Sequence, residues 1–546
     1  MKHHKNSFRK IIYQKIMKKI ILSVLFLVVL LNLLFIDPPN FTTDNQEPFV
    51  HSSPQPSGHK QPRKISKQQF HNVWLNSTYM GAIQANITST GDAFDGYNLF
   101  VLEQTNRTDI SKKKQSLFIT SMQGEILAER PLLPLNTLST DYFPAEFINS
   151  STILLGEPEG VVLWNIYTNK TVPLDGLIGH HDYEFNPVNN TYFTFGGSDT
   201  VVINGTENMF GKILEINTTG QIIWSLAISS FIPPIQKCPF SHSIGNGTID
   251  IVHPNTIFFD VEEDVLYFNA RNTNTFYKID HKTGKIIWGL GEYGDFTLFD
   301  RFGNSREELF YHAHAVEKVD NNTFILFDND LHNQTDPNNK RSRILEITIN
   351  ETTMTANESW SWVAPPSYYS DYYGDADRLP NENRLGTFGT GQFWIYDVCA
   401  RLVEVNKTGQ IVWEMNLPLH SDYYYRIYRM ERFRCSPILD SPSDRTTLSG
   451  DNVTIIWQTW YNFRTKMQMM GFYTVYLDNQ IVNNGTHTYE KFYMPRNLTI
   501  NLEALEEGDH NVTLVITDEA GHMTADSVNI TSKRFIRTPA DRSITL

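Results

Sequence analysis

Three widely separated segments of the chain read as copies of one hairpin: EINTTGQIIWSL (Glu215 to Leu226), KIDHKTGKIIWGL (Lys278 to Leu290) and EVNKTGQIVWEM (Glu404 to Met415). Each is a strand, a turn ending on glycine, and a second strand of the form G-x-I-[IV]-W. The glycines, Gly220, Gly284 and Gly409, lie 64 and 125 residues apart, so the longer gap holds two intervals of about 62 residues. Gly124 in SMQGEILAE is a weaker copy. A repeat of this size built from a hairpin cannot bury both faces alone and must stack on its neighbours, as propeller blades do. Across residues 69–437, short runs of Val, Ile, Phe, Tyr, Trp and Thr alternate with Asn, Gly, Asp and Pro, without a long amphipathic helical pattern. The expectation is an all-β chain with a six-bladed β-propeller over 69–437. A pair of β-sandwiches with coincidentally similar turns is the alternative.

After Cys435 the strand style changes. Residues 438–535 open on a Pro-rich stretch and continue as about seven short alternating strands, among them YTVYLDNQIVNNG and GDHNVTLVITDEAG. This predicts an immunoglobulin- or fibronectin-III-like sandwich, followed by a tail at 536–546. The change of style further predicts a separable module, so that a chain ending near residue 437 still folds.

The N-terminal end is of a different kind. Residues 1–19 carry Lys2, Lys5, Arg9, Lys10, Lys15, Lys18 and Lys19 and no acid, and Ile20 to Ile36 is an apolar run interrupted only by Ser23 and Asn32. The basic flank places the N-terminus in the cytoplasm and makes 20–36 a transmembrane signal-anchor. A cleaved signal peptide is the alternative, against which stands the absence of an A-x-A-like site before Asp37-Pro38-Pro39. Residues 37–68, rich in Pro, Ser, His and Lys, read as a linker. N-x-[ST] sequons recur from Asn40 to Asn529 and none precedes the apolar run, so the globular part is expected to be extracellular or lumenal and to carry N-linked glycans. An oxidising compartment would let Cys399 pair with Cys435 and leave Cys238 single. The net charge of −14 argues against a nucleic-acid partner.

No phosphate loop, G-x-S-x-G elbow, H-E-x-x-H motif or acidic calcium loop occurs. Histidines instead cluster in strand-like segments: GHHDYEF, DIVHPNTIFF and ELFYHAHAVEKV. Strand alternation would put His253 and Asn255 on one face, and His312 and His314 on another. Arg271 follows a hydrophobic strand and calls for an anionic partner, which its planar fork suits if that partner is a sulfate or phosphate group. Three imidazoles could alternatively hold zinc or copper, but an adjacent guanidinium would repel the metal.

The stretch from Asp250 to Phe296, then YHAHAV, ILFDND and Ser342-Arg343, resembles the bacterial arylsulfotransferases, with H-H-D upstream and GDADRLPNENRL downstream in matching order. The resemblance covers about residues 120–420. It implies a six-bladed propeller that passes a sulfuryl group from an aryl sulfate ester to a phenolic acceptor through a sulfohistidine, with no nucleotide donor, cofactor or metal. By position, His314 falls on the nucleophile, His253 and Asn255 on the H-x-N pair, Arg271 on the sulfate-binding arginine and His181 on the remaining active-site histidine. His312 and Arg343 are further substrate-binding candidates. Ala313 stands where the family has Gln, and Thr256 where it has Ser. The alternative from another class is a non-catalytic, glycosylated ectodomain whose propeller binds glycans or a protein.

Overall fold

The computed structural model describes residues 69–532, apart from 110, 133–143, 158–159, 178, 239–246, 330–339, 391–397, 441–444, 447–451, 466–467 and 493. The N-terminal tail, the expected anchor at 20–36, the linker and the tail at 536–546 lie outside these residues. Among the described residues no helix is long and apolar enough to cross a membrane.

The described chain is all-β, its helical segments being three-residue 3-10 turns. Six antiparallel meanders of four strands follow one another, the fourth and fifth lying within six-stranded sheets. The strands Ala145–Phe147, Thr152–Glu157, Gly160–Asn165 and Thr171–Leu174 form one. His180–Asn186, Thr191–Gly196, Lys212–Asn217 and Ile222–Ala227 form the next, and Pro254–Asp260, Val265–Ala270, Thr275–Asp280 and Ile286–Gly291 a third. The fourth runs from His314–Lys318 through Thr323–Asp328 and Arg343–Asn350 to Thr355–Val363, and the fifth from Asp375–Arg378 through Arg384–Phe388 and Val398–Val405 to Ile411–Pro418. In the sixth, Tyr423–Phe433 pairs with a strand from the opposite end of the chain, Tyr97–Asn106, followed by Lys113–Ser121 and Ile126–Leu132.

The repeated glycines sit where the spacing places them, between the third and fourth strands of their sheets. Gly220, Gly284 and Gly409 adopt φ of 77°, 67° and 81°, and Gly124 makes the same turn at 83°. That left-handed geometry costs a side chain with a Cβ about 1 kcal/mol or more and glycine nothing.

Apolar seams lie between successive sheets. Phe193 and Phe195 meet Ile257, Phe259 and Phe268, Tyr267 and Trp288 meet Phe310 and Phe324, and Phe327 and Ile344 meet Ala376 and Phe388. Further seams join Leu154 to Tyr192 and return Trp413 and Leu402 to Phe100 and Phe118. The inner strands Pro254–Asp260 and His314–Lys318 are buried at every position. Burial on both faces covers their polar members as well, among them Asn255, Thr256 and Asp260.

Beyond Ile438, the strands form a three-stranded sheet containing Val453–Trp460 and Arg496–Leu502, and a five-stranded sheet containing Met469–Leu477, Gly508–Thr517 and Met523–Ser532. Their core is continuous with a seam of the meander array: Phe463 lies 4.8 Å from Phe147 and 5.3 Å from Phe433, ring centre to ring centre. Glu519 accepts hydrogen bonds from both the amide and the hydroxyl of Ser150. The two regions thus share one hydrophobic core, and separability is a question for truncation. The three cysteines are free thiols, so the pairing of Cys399 with Cys435 does not occur. Cys399 is buried in the seam with Leu402 and Trp413, away from Cys435 at the start of the C-terminal region.

A chain ending at residue 437 exposes Phe147, Phe433 and their neighbours and is expected to aggregate on expression. In the full chain, Phe463→Ala should cost about 3–5 kcal/mol in denaturant unfolding. A soluble, cooperative truncated protein would show that the shared core is dispensable.

Candidate active site

The functional side chains gather where the inner strands begin. His180 and His181 open His180–Asn186, His253 precedes Pro254–Asp260, His314 opens His314–Lys318 and Tyr373 precedes Asp375–Arg378. The backbone there is distorted: His181, His253, His312 and Tyr373 have φ of 67°, 48°, 52° and 65°. Pairing registers also shift between His180 and Tyr183, between Pro254 and Thr256, and between His314 and Glu317. On the closing strand, Met430 pairs with Phe100 and Ile427 with Leu102, leaving Tyr428 and Arg429 together opposite Val101 in a bulge. Bulges and left-handed residues re-aim side chains that a regular strand would send into the seams, and such strain gathers at functional sites.

These distortions correct the alternation argument. The strand carrying His314 starts at that residue, so His312 lies before it and shares no strand face with it; the His312 amide donates instead to Asn274 Oδ1 at 2.8 Å. His253 is likewise outside the strand that contains Asn255.

The structure brings His181, His253 and His314 together with a tyrosine that sequence reasoning missed. His181 lies 4.9 Å from His253, and Tyr428 lies 6.3 Å from His181 and 6.1 Å from His314, between ring centres. His314 is 2% exposed, and its Nδ1 lies 2.7 Å from Asn329 Oδ1. Asn329 directs its Nδ2 at the carbonyls of Ser370 and Tyr373, which only accept. Its oxygen must therefore take the Nδ1 proton of His314, leaving the Nε2 lone pair as the reactive face of a neutral imidazole. His253 Nδ1 is held by Asp250 Oδ2 at 2.7 Å, which fixes its outward nitrogen as Nε2.

The charge environment favours neutral imidazoles and an anion. Burial, then Arg271, His253 and Arg429, push His314 well below the usual histidine range against the opposing bond to Asn329. Burial and the surrounding cationic groups do the same to His181, and burial with His253 lowers His180 to about 4. Arg271, 4% exposed, donates to Asn272 Oδ1 and to the Asp371 carbonyl, while its buried Nε has no hydrogen-bond partner among the described residues. Arg429 is paired with the buried Asp182 at 2.8 Å and also donates to the Asn255 carbonyl.

Two other sequence candidates are placed differently. The Asn255 amide donates to the Ala313 carbonyl and accepts from Asn269, so it holds the segment leading to His314. Arg343 bonds to Asp328, Glu358 and the Leu309 carbonyl on the third strand of its sheet. These contacts tie it to its own sheet and not to the imidazole group. Among the described residues no group of three or more His, Cys, Asp or Glu side chains is disposed to hold a metal. Of the residues missed, Asp182, Asp250 and Asn329 lie inside the H-H-D, D-x-x-H and D-N motifs. Arg429 and Tyr428 carry no such signal.

Residues 162–429 match the family model for arylsulfotransferase (ASST). No curated protein matches the sequence. Among solved structures, the CARDB domain of a Pyrococcus furiosus protein in complex with di-metal ions is 12% identical, with 18% of this chain and 96% of that one covered, at a TM-score of 0.14. Dihydro-heme d1 dehydrogenase NirN in complex with DHE is 8% identical over 80% of this chain and 74% of its own, at 0.25. Hydrazine synthase from Kuenenia stuttgartiensis is 11% identical over 62% and 75%, at 0.23. Likeness of this degree carries no argument about function.

The depressed histidines set a pH dependence of stability. In the unfolded chain His180, His181 and His314 take up protons as pH falls through 6.5, while the folded protein resists until much lower, about 4 for His180. The stability they contribute is present above pH 6.5 and is lost progressively below it. Thermal unfolding followed from pH 7.5 to 5 should show a falling Tm, and His181→Asn should flatten that slope. An unchanged slope would mean the imidazoles are not held neutral by the fold.

Proposed function

We propose, with the arylsulfotransferase character of residues 162–429 as the premise, that the protein transfers a sulfuryl group from an aryl sulfate ester to a phenolic acceptor by way of a sulfohistidine at His314. The six meanders are read as the blades of a six-bladed propeller and the C-terminal sheets as an immunoglobulin-like sandwich, with the domain limits expected from the sequence. The observation that carries the reading is a buried His314 whose Nδ1 is held by Asn329, leaving Nε2 as its open nitrogen, gathered with His181 around Tyr428.

The Nε2 lone pair of His314 attacks sulfur, and the S–O bond to the aryl group breaks. His314 keeps its Nδ1 proton on Asn329, so the sulfated ring is a cation balanced by the sulfonate it carries. The leaving phenolate takes a proton from His253, anchored by Asp250. The acceptor phenol then returns a proton to His253 as its oxygen attacks sulfur and the S–N bond breaks, restoring His314. Arg271 offers fixed donors to the equatorial oxygens, whose charge otherwise repels the nucleophile.

Incubation with an aryl sulfate and no acceptor should add one sulfuryl group to wild type, mapped to His314 by peptide mass, and His314→Ala should lose both label and turnover. Arg271→Lys keeps the charge without the fork and should lower kcat by about tenfold or more while the fold survives. Turnover retained by His314→Ala but lost by His312→Ala would move the nucleophile two residues.

The same reading places residues 1–19 in the cytoplasm, a signal-anchor at 20–36 and the remainder in a glycosylating compartment. It is supported by the sequons: every described sequon asparagine is exposed or half-buried, whereas the fully buried Asn98, Asn186, Asn255, Asn269, Asn329 and Asn383 all lie outside sequons. Enzymatic removal of N-glycans should therefore shift the mass of protein from the membrane fraction in several steps. Protein with unmodified sequons and its globular part open to cytosolic protease would overturn this topology.

A further inference from the structure

The inner strands that carry the site extend beneath it into an acidic floor. Glu317 lies three residues after His314, Asp375 and Asp377 two and four after Tyr373, and Glu431 two after Arg429. All four are buried. The cation that meets them comes from the C-terminal sheets. Arg464 donates to both oxygens of Glu431 at 2.6 and 2.7 Å, contacts Asp377 Oδ1 at 2.7 Å and bonds Glu317. One guanidinium thereby bridges three inner strands, His314–Lys318, Asp375–Arg378 and Tyr423–Phe433.

This floor is continuous with the site. A cavity of about 30 Å³ has Arg464, Glu431, Glu317, Asp375, Arg429 and Ala315 in its lining. Asp375 faces both arginines and accepts the Met430 amide at 3.1 Å. Arg429 in turn holds Asp182, which accepts the Ile257 amide at 3.0 Å, and Thr256 accepts the Ala315 amide at 2.9 Å, next to His314. The acids outnumber the cations: burial pushes Asp375, Asp377 and Glu431 upward, Glu431 to about 8, even with Arg464 in place.

We infer that Arg464 is a positioning residue for the active site: by occupying Glu317, Asp377 and Glu431 it leaves Arg429 to Asp182 and to the Asn255 carbonyl, and so fixes the segments that present His253 and His314. Without it, the only other guanidinium beside Asp375 and Glu431 among the lining residues is that of Arg429, which is drawn down from Asp182. The kinetic consequence rests on the sulfuryl-transfer reading, whereas the structural consequence does not.

The test uses the full chain as wild type, Arg464→Met, Arg464→Lys, Arg464→Met with Glu431→Gln, and a control, Arg496→Met, which removes only a half-exposed pair with Glu490. Two quantities are read: transfer from 4-nitrophenyl sulfate to phenol, and amide hydrogen exchange resolved at Ile257, Ala315 and Met430. Arg464→Met should lower kcat by about 10- to 100-fold, as small misplacements of reacting groups do, with little change in KM. The three amides should exchange faster. Arg464→Lys should be intermediate, and Glu431→Gln in the Met background should recover part of both readouts; if Arg464→Met alone is insoluble, these two variants carry the comparison. Unchanged kcat and unchanged exchange at these amides, with faster exchange only in the C-terminal strands, would overturn the inference. Faster exchange in Arg464→Met, alongside a wild type that transfers no sulfuryl group, would leave the positioning role standing and sink the reaction assigned to the site.

Discussion

The pairing of Tyr423–Phe433 with Tyr97–Asn106 is the constraint on which the rest depends. It joins residues more than 300 apart in sequence, from Tyr97 opposite Phe433 to Asn106 opposite Tyr423, and without it both strands would present an unpaired edge. The strand is fastened by Arg432, wholly buried, which donates to Glu404, Asn98 and the Phe94 carbonyl and lies 4.6 Å over the Trp413 ring. Such a guanidinium contributes only because its Nε and Nη1 find acceptors, one of them the Glu404 carboxylate, since an unpaired buried charge would be strongly destabilising; its Nη2 has no hydrogen-bond partner among the described residues. The same strand supplies Tyr428 and Arg429 to the site and Glu431 to the floor beneath it. Closure and chemistry therefore share one element.

The site works by an imbalance of charge. Arg271 and Arg429 act on the imidazoles, with Asp250 bonded to His253 and Asp182 to Arg429. Burial is the larger cause and the cationic neighbours add to it, so His181 and His314 are held well below the usual histidine range. Below, the imbalance reverses, with Glu317, Asp375, Asp377 and Glu431 sharing Arg464. Opposite excesses in adjacent layers hold Arg429 between them. That arrangement explains why the C-terminal sheets are joined to the rest by both a shared apolar core and a buried ion cluster.

What the sequence revealed follows from what is local. The third-to-fourth strand turns were legible because glycine at positive φ and a following G-x-I-x-W strand are short-range signals. His181, His253, His314 and Arg271 were legible because a resemblance preserves order. Three things were not. The left-handed backbone at His181, His253 and His312 breaks the two-residue alternation, so face assignments made from it fail. Arg343 and Asn255 look alike in sequence to ligand-facing residues, and only their partners show that one is tied to Asp328 and the other to the Ala313 carbonyl. Arg429 and Arg464 act across more than a hundred residues of chain, with no motif around them.

The late position of the closing strand also governs when the protein becomes competent. A chain made from the N-terminus has His181, His253 and His314 early, yet Tyr428 and Arg429 follow the last of them by more than a hundred residues and Arg464 later still. Non-local pairing of this kind is slow relative to local hairpin formation. A nascent or interrupted chain therefore holds the imidazoles and Arg271 without Tyr428, Arg429 and the burial that the folded sheets provide. Assembly of the site thus waits on synthesis of the strand Tyr423–Phe433 and of Arg464 beyond it.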